Sequence, residues 1–196
     1  PNASGPDLQL YFSPVSYTRA PAGVRPLMNP DPFPGFLMGF NPCKPTSVGN
    51  IQISSTDPML PPKIYSNYLD TEYDKKMMIE GIRLIRRISN APALKSIIKD
   101  ELAPGSDIKS ETDIAKYIRQ KAWSVFHPCS TCRMGSNPNV SVVDPKLRVH
   151  GVDNLRVVDA SIFPTIPTGN INAPSIMVGE YASDIILKDA RNQKGL

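Results

Sequence analysis

One histidine and one asparagine have the side chains best suited to chemistry in this chain. His127 lies in the segment 125–128, and Asn170 lies in the segment 168–172, further along the sequence. An imidazole exchanges a proton near neutral pH, whereas a carboxamide binds an oxygen atom without changing its own charge. Together these two groups are the minimum needed to oxidise an alcohol beside a bound cofactor.

The residues around His127 favour a defined ring position but do not by themselves decide its role. A single histidine is more often structural than catalytic. Here Trp123, Val125 and Phe126 precede His127, which indicates a partly dry site. Pro128 biases His127 towards an extended backbone and so limits where the ring can point. The pattern is therefore compatible with a general base and with a structural histidine.

Asn170 and Asn172 stand before a predicted helix, where Thr, Asn and Gly are ordinary capping residues. We expect Asn172 to be the cap, which leaves the Asn170 side chain able to point elsewhere. The backbone N–H groups at the start of such a helix attract an anion or an electron-rich carbonyl. This segment is thus a candidate binding site as well as a helix start.

The remaining motifs are weaker. Cys129 and Cys132 form a C-x-x-C pair, but a turn-like segment follows it where a thioredoxin-like site has a helix. A zinc site needs about four ligands, so Cys129 and Cys132 would need Cys43 and His127 as the other two. No sequence spacing indicates that these four residues meet. We therefore predict no metal, assign no role to His150, and leave the redox behaviour of the two cysteines open. No G-x-S-x-G motif is present, so hydrolysis is unsupported.

Periodicity predicts the elements that must position these residues. Alternating apolar residues predict strands, and a wide apolar stripe with capping residues predicts helices. The predicted strands are 8–13, 36–41, 49–54 and 63–65, with two short ones near 140–143 and 155–158; the predicted helices are 70–90, 110–123 and 172–190; the segment 126–139 is a loop. This order predicts an α+β fold, with helices on one face of an antiparallel sheet and a closing strand–loop–helix.

Composition narrows the class of protein. The net charge is +4, and the densest basic run, 75–87, contains Glu80 and follows Glu72 and Asp74, so we predict no nucleic-acid partner. No run of about eighteen apolar residues is present, so no transmembrane segment is predicted. The chain starts without methionine and reads as the middle of a longer one. Three cysteines fit no disulfide framework, so we expect a reducing, cytoplasmic location.

Four segments, in this order and spacing, make the chain similar to the C-terminal, substrate-binding part of the glucose–methanol–choline oxidoreductases. Each segment alone is unspecific, whereas the combination covers the chain from Leu8 to about Asp189. The four segments are 49–69, which contains Asp57-Pro58 and Pro62; 126–135, which contains His127-Pro128; 143–161, which contains Asp159-Ala160-Ser161; and 164–180, which contains Asn170.

The resemblance implies a bipartite flavoprotein of which this chain is one part. The family binds FAD through a Rossmann-like part with a G-x-G-x-x-G motif, and that motif is not in this sequence. We therefore expect residues 1–139 to be a substrate-binding domain and 140–196 to be a C-terminal segment that returns to the FAD-binding domain. The expected partners are that N-terminal domain of the parent chain and a small alcohol.

The resemblance also implies roles for individual residues. His127 matches the catalytic histidine that takes the proton of the substrate hydroxyl. Asn170 matches the second member of the catalytic pair, as in choline-oxidising relatives that have asparagine there. The residues implied to contact FAD are Phe126, beside the flavin; Asp159 and Ala160, near the phosphates and ribityl chain; and Asn170, Ile171 and Asn172, at the pyrimidine edge.

The implied activity is FAD-dependent oxidation of the CH–OH group of a primary or secondary alcohol, with hydride transfer to the flavin and His127 as base. We expect the isolated fragment to be inactive, because most FAD contacts are missing. Two alternatives stay open: a non-catalytic module that binds a ligand or partner, and a relative that acts as a hydroxynitrile lyase without net redox change.

Overall fold

A computed structural model describes residues 5–18 and 29–193 of the chain. The chain forms two compact units, Pro1–Pro42 with Tyr73–Ala122, and Cys43–Glu72 with Trp123–Leu196. The strands are β1 (Leu8–Ser13), β2 (Tyr17–Thr18), β3 (Asn29–Pro30), β4 (Leu37–Pro42), β5 (Asn50–Gln52) and β6 (Lys63–Tyr65). The helices are α1 (Glu72–Ser89), α2 (Pro92–Lys95), α3 (Glu111–Lys121) and α4 (Asn172–Gln193), with a 3-10 turn at Ala160–Ile162.

The strands form three separate antiparallel pairs: β1 with β4, β2 with β3, and β5 with β6. The prediction of one antiparallel sheet is therefore wrong for the described residues, although helices with small antiparallel pairs are still an α+β arrangement. Strands β5 and β6 have only three residues each. Prolines stand in the segments around them, and a proline cannot extend a ladder because it has no N–H group to donate. The strand predicted at 63–65 is confirmed, and the one predicted at 49–54 is found as the shorter β5; the two pair with each other, with Ile51 opposite Ile64.

Helix α1 confirms the helix predicted over 70–90. Met77 and Ile82 of its apolar stripe are buried. The other residues of the stripe are half-buried: Met78, Leu84, Ile85 and Ile88. Gly81 is also buried, and a Cβ atom there would lie 2.1 Å from the Phe40 ring of β4. The glycine thus allows the helix backbone to lie directly against the β1–β4 pair.

Helix α3 begins where the sequence predicts, because the Ser110 side chain accepts a hydrogen bond from the Asp113 N–H group. It ends at Lys121, two residues before the predicted end. Helix α2 was not predicted: Pro92, which follows the end of α1, starts this short helix, where its fixed φ and missing N–H cost nothing.

An arginine holds the irregular segment between α2 and α3 against α1. The Arg86 guanidinium forms a 2.7 Å ion pair with Glu101 and donates to the carbonyl oxygens of Gly105 and Ile108. A planar guanidinium with five donors satisfies three acceptors at once. The same carboxylate, after burial of the phenol, raises the pKa of Tyr117.

The second unit has its core among loops. Its buried residues are Val143, Leu147, Ile162, Phe163, Val178 and Ala182. The strands predicted near 140–143 and 155–158 are wrong, because only isolated bridges form there, such as Arg148 with Arg156. A turn breaks the ladder: Asp144 accepts hydrogen bonds from the Lys146 and Arg148 N–H groups, and Leu147 between them has φ +65°.

Helix α4 confirms the predicted last helix and extends it to Gln193. Arg156 donates to Asp189 at 2.6 Å and to the Lys146 carbonyl oxygen, so an ion pair ties the C-terminal half of α4 to the loops. The predicted boundary at 139/140 lies inside the second unit rather than between units. The assignment of 140–196 to a FAD-binding domain stays a prediction. No helix in the described part of the chain is long and apolar enough to span a membrane.

Candidate active site

His127 lies in the irregular segment that follows α3. Its side chain is half-buried, and Phe126 before it is 73% exposed. Phe126 has φ +61°, a left-handed conformation that is uncommon for an aromatic residue, and its N–H group donates to Ser124 Oγ at 3.0 Å. The Phe126 ring lies 6.5 Å from the Trp123 ring. An exposed aromatic pair therefore flanks the histidine.

The residues after His127 are fixed to the core of the second unit. Cys129 and Met134 pack against that core. The Cys132 N–H group donates to the Ser161 carbonyl oxygen at 3.0 Å, and the Met134 N–H group donates to the Ile162 carbonyl oxygen at 2.8 Å. Residues 127–134, the histidine loop, are thus hydrogen-bonded to the 3-10 turn.

Asp159 starts the 3-10 turn, where the sequence had predicted a strand end. Its carboxylate accepts the Ser161 N–H group at 2.7 Å and caps the turn. Asp159 is exposed, whereas Ala160 is half-buried and packs on the core. Ser161 Oγ is buried and has no hydrogen-bond partner among the described residues.

Asn170 lies in the loop before α4 and is exposed. Gly169 before it has φ +117°, and no other group lies within 4 Å of where its Cβ would be. Ile171 packs on the core, and its carbonyl oxygen accepts both the N–H group and the hydroxyl of Ser175. Asn172 is therefore the first helical residue and not the cap that the sequence predicts, because the Ile171 carbonyl accepts the first helical bond.

The three predicted site segments share one anchor. Cys129 from the histidine loop, Ala160 from the 3-10 turn and Ile171 from the Asn170 loop all pack against the same buried cluster. All the predicted site residues consequently belong to the second unit, next to core residues that fix their backbones. This arrangement places the imidazole of the histidine loop, and the amide and helix N-terminus of the Asn170 loop, on a common support.

Sequence analysis did not identify Tyr68 and Ser124 as part of this region. The Tyr68 hydroxyl donates to Ser124 Oγ at 3.2 Å across 56 residues of sequence, and Ser124 in turn accepts from Phe126. No local pattern could have found this contact. Ser161 belongs to the sequence segment Asp159-Ala160-Ser161, but only the burial of its hydroxyl in the structure marks it as a candidate ligand-binding group.

The other candidate groups have ordinary structural surroundings. None of the three cysteines is in a disulfide bond; Cys43 is buried, and the other two are half-buried. His150 Nε2 lies 3.0 Å from the Gly135 carbonyl oxygen and 3.2 Å from Ser141 Oγ, which ties two loops together. Within residues 5–18 and 29–193, no cluster of three or more His, Cys, Asp or Glu side chains could hold a metal ion.

Comparison with known proteins identifies the family. Residues 45–179 match the family profile of GMC oxidoreductase. The chain is 46% identical over 154 residues to an oxygen-dependent choline dehydrogenase of Photobacterium profundum, which covers 78% of this chain and 27% of the relative. It is 41% identical over 191 residues to the mitochondrial choline dehydrogenase of Homo sapiens, covering 95% of this chain and 30% of the relative.

A solved structure agrees. Pyridoxine 4-oxidase from Mesorbium loti superposes with a TM-score of 0.76 at 29% identity, over 91% of this chain and 34% of that one. The chain therefore belongs to the GMC oxidoreductase family and is choline dehydrogenase-like in sequence. The cofactor of this family is FAD. The chain spans less than a third of the length of the curated relatives compared above.

Proposed function

We propose that this chain is the C-terminal part of an FAD-dependent oxidoreductase that oxidises the CH–OH group of a primary or secondary alcohol. The observation that supports this most is the common anchoring of the His127 loop, the 159–162 turn and the Asn170 loop on one buried cluster. Family membership supports the reaction class, since relatives similar to this chain include the choline dehydrogenases named above, an alcohol dehydrogenase of Pseudomonas putida and a fungal aryl-alcohol oxidase.

The residues present fit the cofactor that the family uses. Ser161 Oγ is a buried hydroxyl without a partner among the described residues, within the turn that Asp159 caps. A buried polar group normally has a hydrogen-bond partner, so this hydroxyl suits a polar ligand that the protein itself does not supply. Phe126, Asp159, Ala160, Asn170, Ile171 and Asn172 would hold the cofactor. FAD, when bound, supplies the acceptor for the hydride.

His127 and Asn170 then divide the work on the alcohol. His127 takes the proton of the substrate hydroxyl, which makes the carbon a better hydride donor. Asn170 donates a hydrogen bond to the oxygen as negative charge develops on it. An uncharged amide is suited to this task because it does not compete with the imidazole for the proton. The N-terminus of α4 favours negative charge nearby.

The proposed partner within the parent protein is its FAD-binding part. Helix α4 carries five apolar side chains that are more than 40% exposed: Ile176, Met177, Tyr181, Ile186 and Leu187. Side chains of this kind on a helix of a soluble domain commonly cover an interface. The isolated fragment is accordingly expected to bind no FAD and to show no activity.

The test uses the full-length parent protein. His127→Ala should lower kcat by about 10²- to 10⁴-fold, the range for loss of acid–base assistance, with little change in flavin absorbance. His150→Gln is the matched control, since it changes the other histidine, and should keep kcat near the wild-type value. Asn170→Ala should cause a smaller loss, because it removes one hydrogen bond. Full activity of His127→Ala would refute the proposal.

A further inference from the structure

Two loops of the second unit meet at a serine hydroxyl beside His127. Tyr68 donates its phenolic O–H to Ser124 Oγ at 3.2 Å, and the Phe126 N–H group donates to the same oxygen at 3.0 Å. Ser124 is half-buried, and Tyr68 is 64% exposed. The hydroxyl of Ser124 uses both of its acceptor sites in this way.

The backbone on both sides of this contact is in an uncommon conformation. Phe126 has φ +61°, and Asn67 and Leu69, which flank Tyr68, have φ +49° and +60°. Asn67 Nδ2 also donates to the Val48 carbonyl oxygen at 3.1 Å, which fixes the tyrosine loop. Conformations of this kind persist only where the surrounding structure holds them, and they are concentrated at functional sites.

The hydrogen bond to Ser124 holds the residue that precedes His127. The φ angle of Phe126 sets the direction in which the chain enters His127, and Pro128 restricts His127 from the other side. If the Phe126 N–H group loses its acceptor, the left-handed conformation loses support and the imidazole moves with the backbone. The Cys132 and Met134 hydrogen bonds hold only the residues after the histidine.

We propose that Tyr68 and Ser124 are positioning residues that set the His127 ring for proton transfer. This inference rests on the proposed function, since it assigns His127 the role of base. Tyr68 acts indirectly. Its hydroxyl orients the Ser124 hydroxyl, which orients the Phe126 backbone and thereby the His127 imidazole. Neither residue needs to touch the substrate.

The experiment uses the full-length flavoprotein with Ser124→Ala, Ser124→Thr and Tyr68→Phe. A misplacement of about 1 Å can cost about 100-fold in rate, so we expect Ser124→Ala to lower kcat by roughly 10- to 100-fold and Tyr68→Phe by roughly 3- to 10-fold. KM should change little, and the pH profile of kcat should shift. Ser124→Thr keeps the hydroxyl and should recover most of the rate. The matched control is Tyr73→Phe, an exposed tyrosine of α1.

The double variant Ser124→Ala/Tyr68→Phe sharpens the test. Because Tyr68 acts through Ser124, the double variant should be no slower than Ser124→Ala alone, whereas independent effects would multiply. Flavin content and thermal midpoint should match the wild type in every variant. The inference is overturned if Ser124→Ala and Tyr68→Phe keep kcat within twofold with an unchanged pH profile, or if their effects multiply. His127→Ala separates the two proposals. If His127→Ala stays active, the assignment of His127 as base fails. If His127→Ala is inactive but Ser124→Ala and Tyr68→Phe keep full activity, the positioning inference fails.

Discussion

The two units bury their apolar residues in different ways. In the first, the most buried residues lie on regular helices, for example Ile114 and Ile118 of α3 and Ile82 of α1. In the second, among its described residues, most of the core comes from turns and isolated bridges, and α4 is a long helix that adds Val178 and Ala182. Every predicted site residue lies in the second unit and none lies in the first.

This difference predicts in which unit a loss of core packing should also change activity. A helix buries its stripe through its own periodicity, so the first unit's buried residues need no special loop geometry. The loops of the second unit pack on one small cluster, and Ile162 of that cluster accepts a hydrogen bond from Met134 of the histidine loop. Packing changes in the second core should therefore reach the site, whereas equal changes in the first should affect stability alone.

The largest expected effect compares one substitution in the two cores. Ile162→Ala and Ile114→Ala remove the same atoms from positions 3% and 1% exposed, and each should cost about 2–5 kcal/mol of stability. Only Ile162→Ala should also lower kcat and weaken flavin retention, because relaxation around the lost side chain shifts the Ile162 backbone, whose carbonyl oxygen accepts the Met134 N–H group of the histidine loop. Thermal unfolding and turnover of the parent protein measure both quantities.

Ile162→Val and Ile114→Val make the same comparison with smaller losses of folding stability, about 0.5–1.5 kcal/mol each. They replace the alanine variants if those are too unstable to purify. The ratio of lost activity to lost stability should stay larger for position 162. Equal ratios at the two positions would show that the core of the second unit does not position the site.

The same contrast explains what could be predicted from sequence. Helices α1, α3 and α4 were predicted within a few residues, because their apolar periodicity and caps are local signals. The strands near 140–143 and 155–158 were wrong, because the Asp144 turn replaces a ladder with side-chain hydrogen bonds that periodicity does not show. The candidate roles of His127 and Asn170 follow from residue type and stay predictions, whereas the contact of Tyr68 with Ser124 depends on tertiary structure.

A smaller effect is expected where α1 lies against β4 in the first unit. Gly81→Ala adds a methyl group 2.1 Å from the Phe40 ring, so strain of about 1–3 kcal/mol should outweigh the gain of up to about 1 kcal/mol in helix propensity. The parent protein should unfold at a lower temperature with unchanged kcat. Combining it with Phe40→Leu should cost less than the sum of the two single changes. A stabilised Gly81→Ala variant would contradict this packing.

The smallest expected effect concerns pH and belongs to the second unit. The hydrogen bond from Arg156 lowers the pKa of Asp189, against the opposing effect of burial. A carboxyl whose folded pKa is lowered stabilises the protein above its unfolded pKa, about 3.9 for aspartate, and this contribution disappears as the pH falls through the folded pKa. Asp189→Asn should therefore lower the thermal midpoint at pH 7, and the gap from wild type should close in acid.

Asp144 limits how far this argument extends. Burial alone would raise the pKa of Asp144, but hydrogen bonds from the backbone and side chain of Arg148 and from the Lys146 backbone outweigh it and lower the pKa. Acid should therefore still destabilise the loops of the second unit in Asp189→Asn, only less steeply than in wild type. Arg156→Met removes the same ion pair from its other side, so its gap from wild type should also narrow in acid. A gap that stays constant from neutral to acid pH would mean that packing around α4, and not the ion pair, holds the helix to these loops.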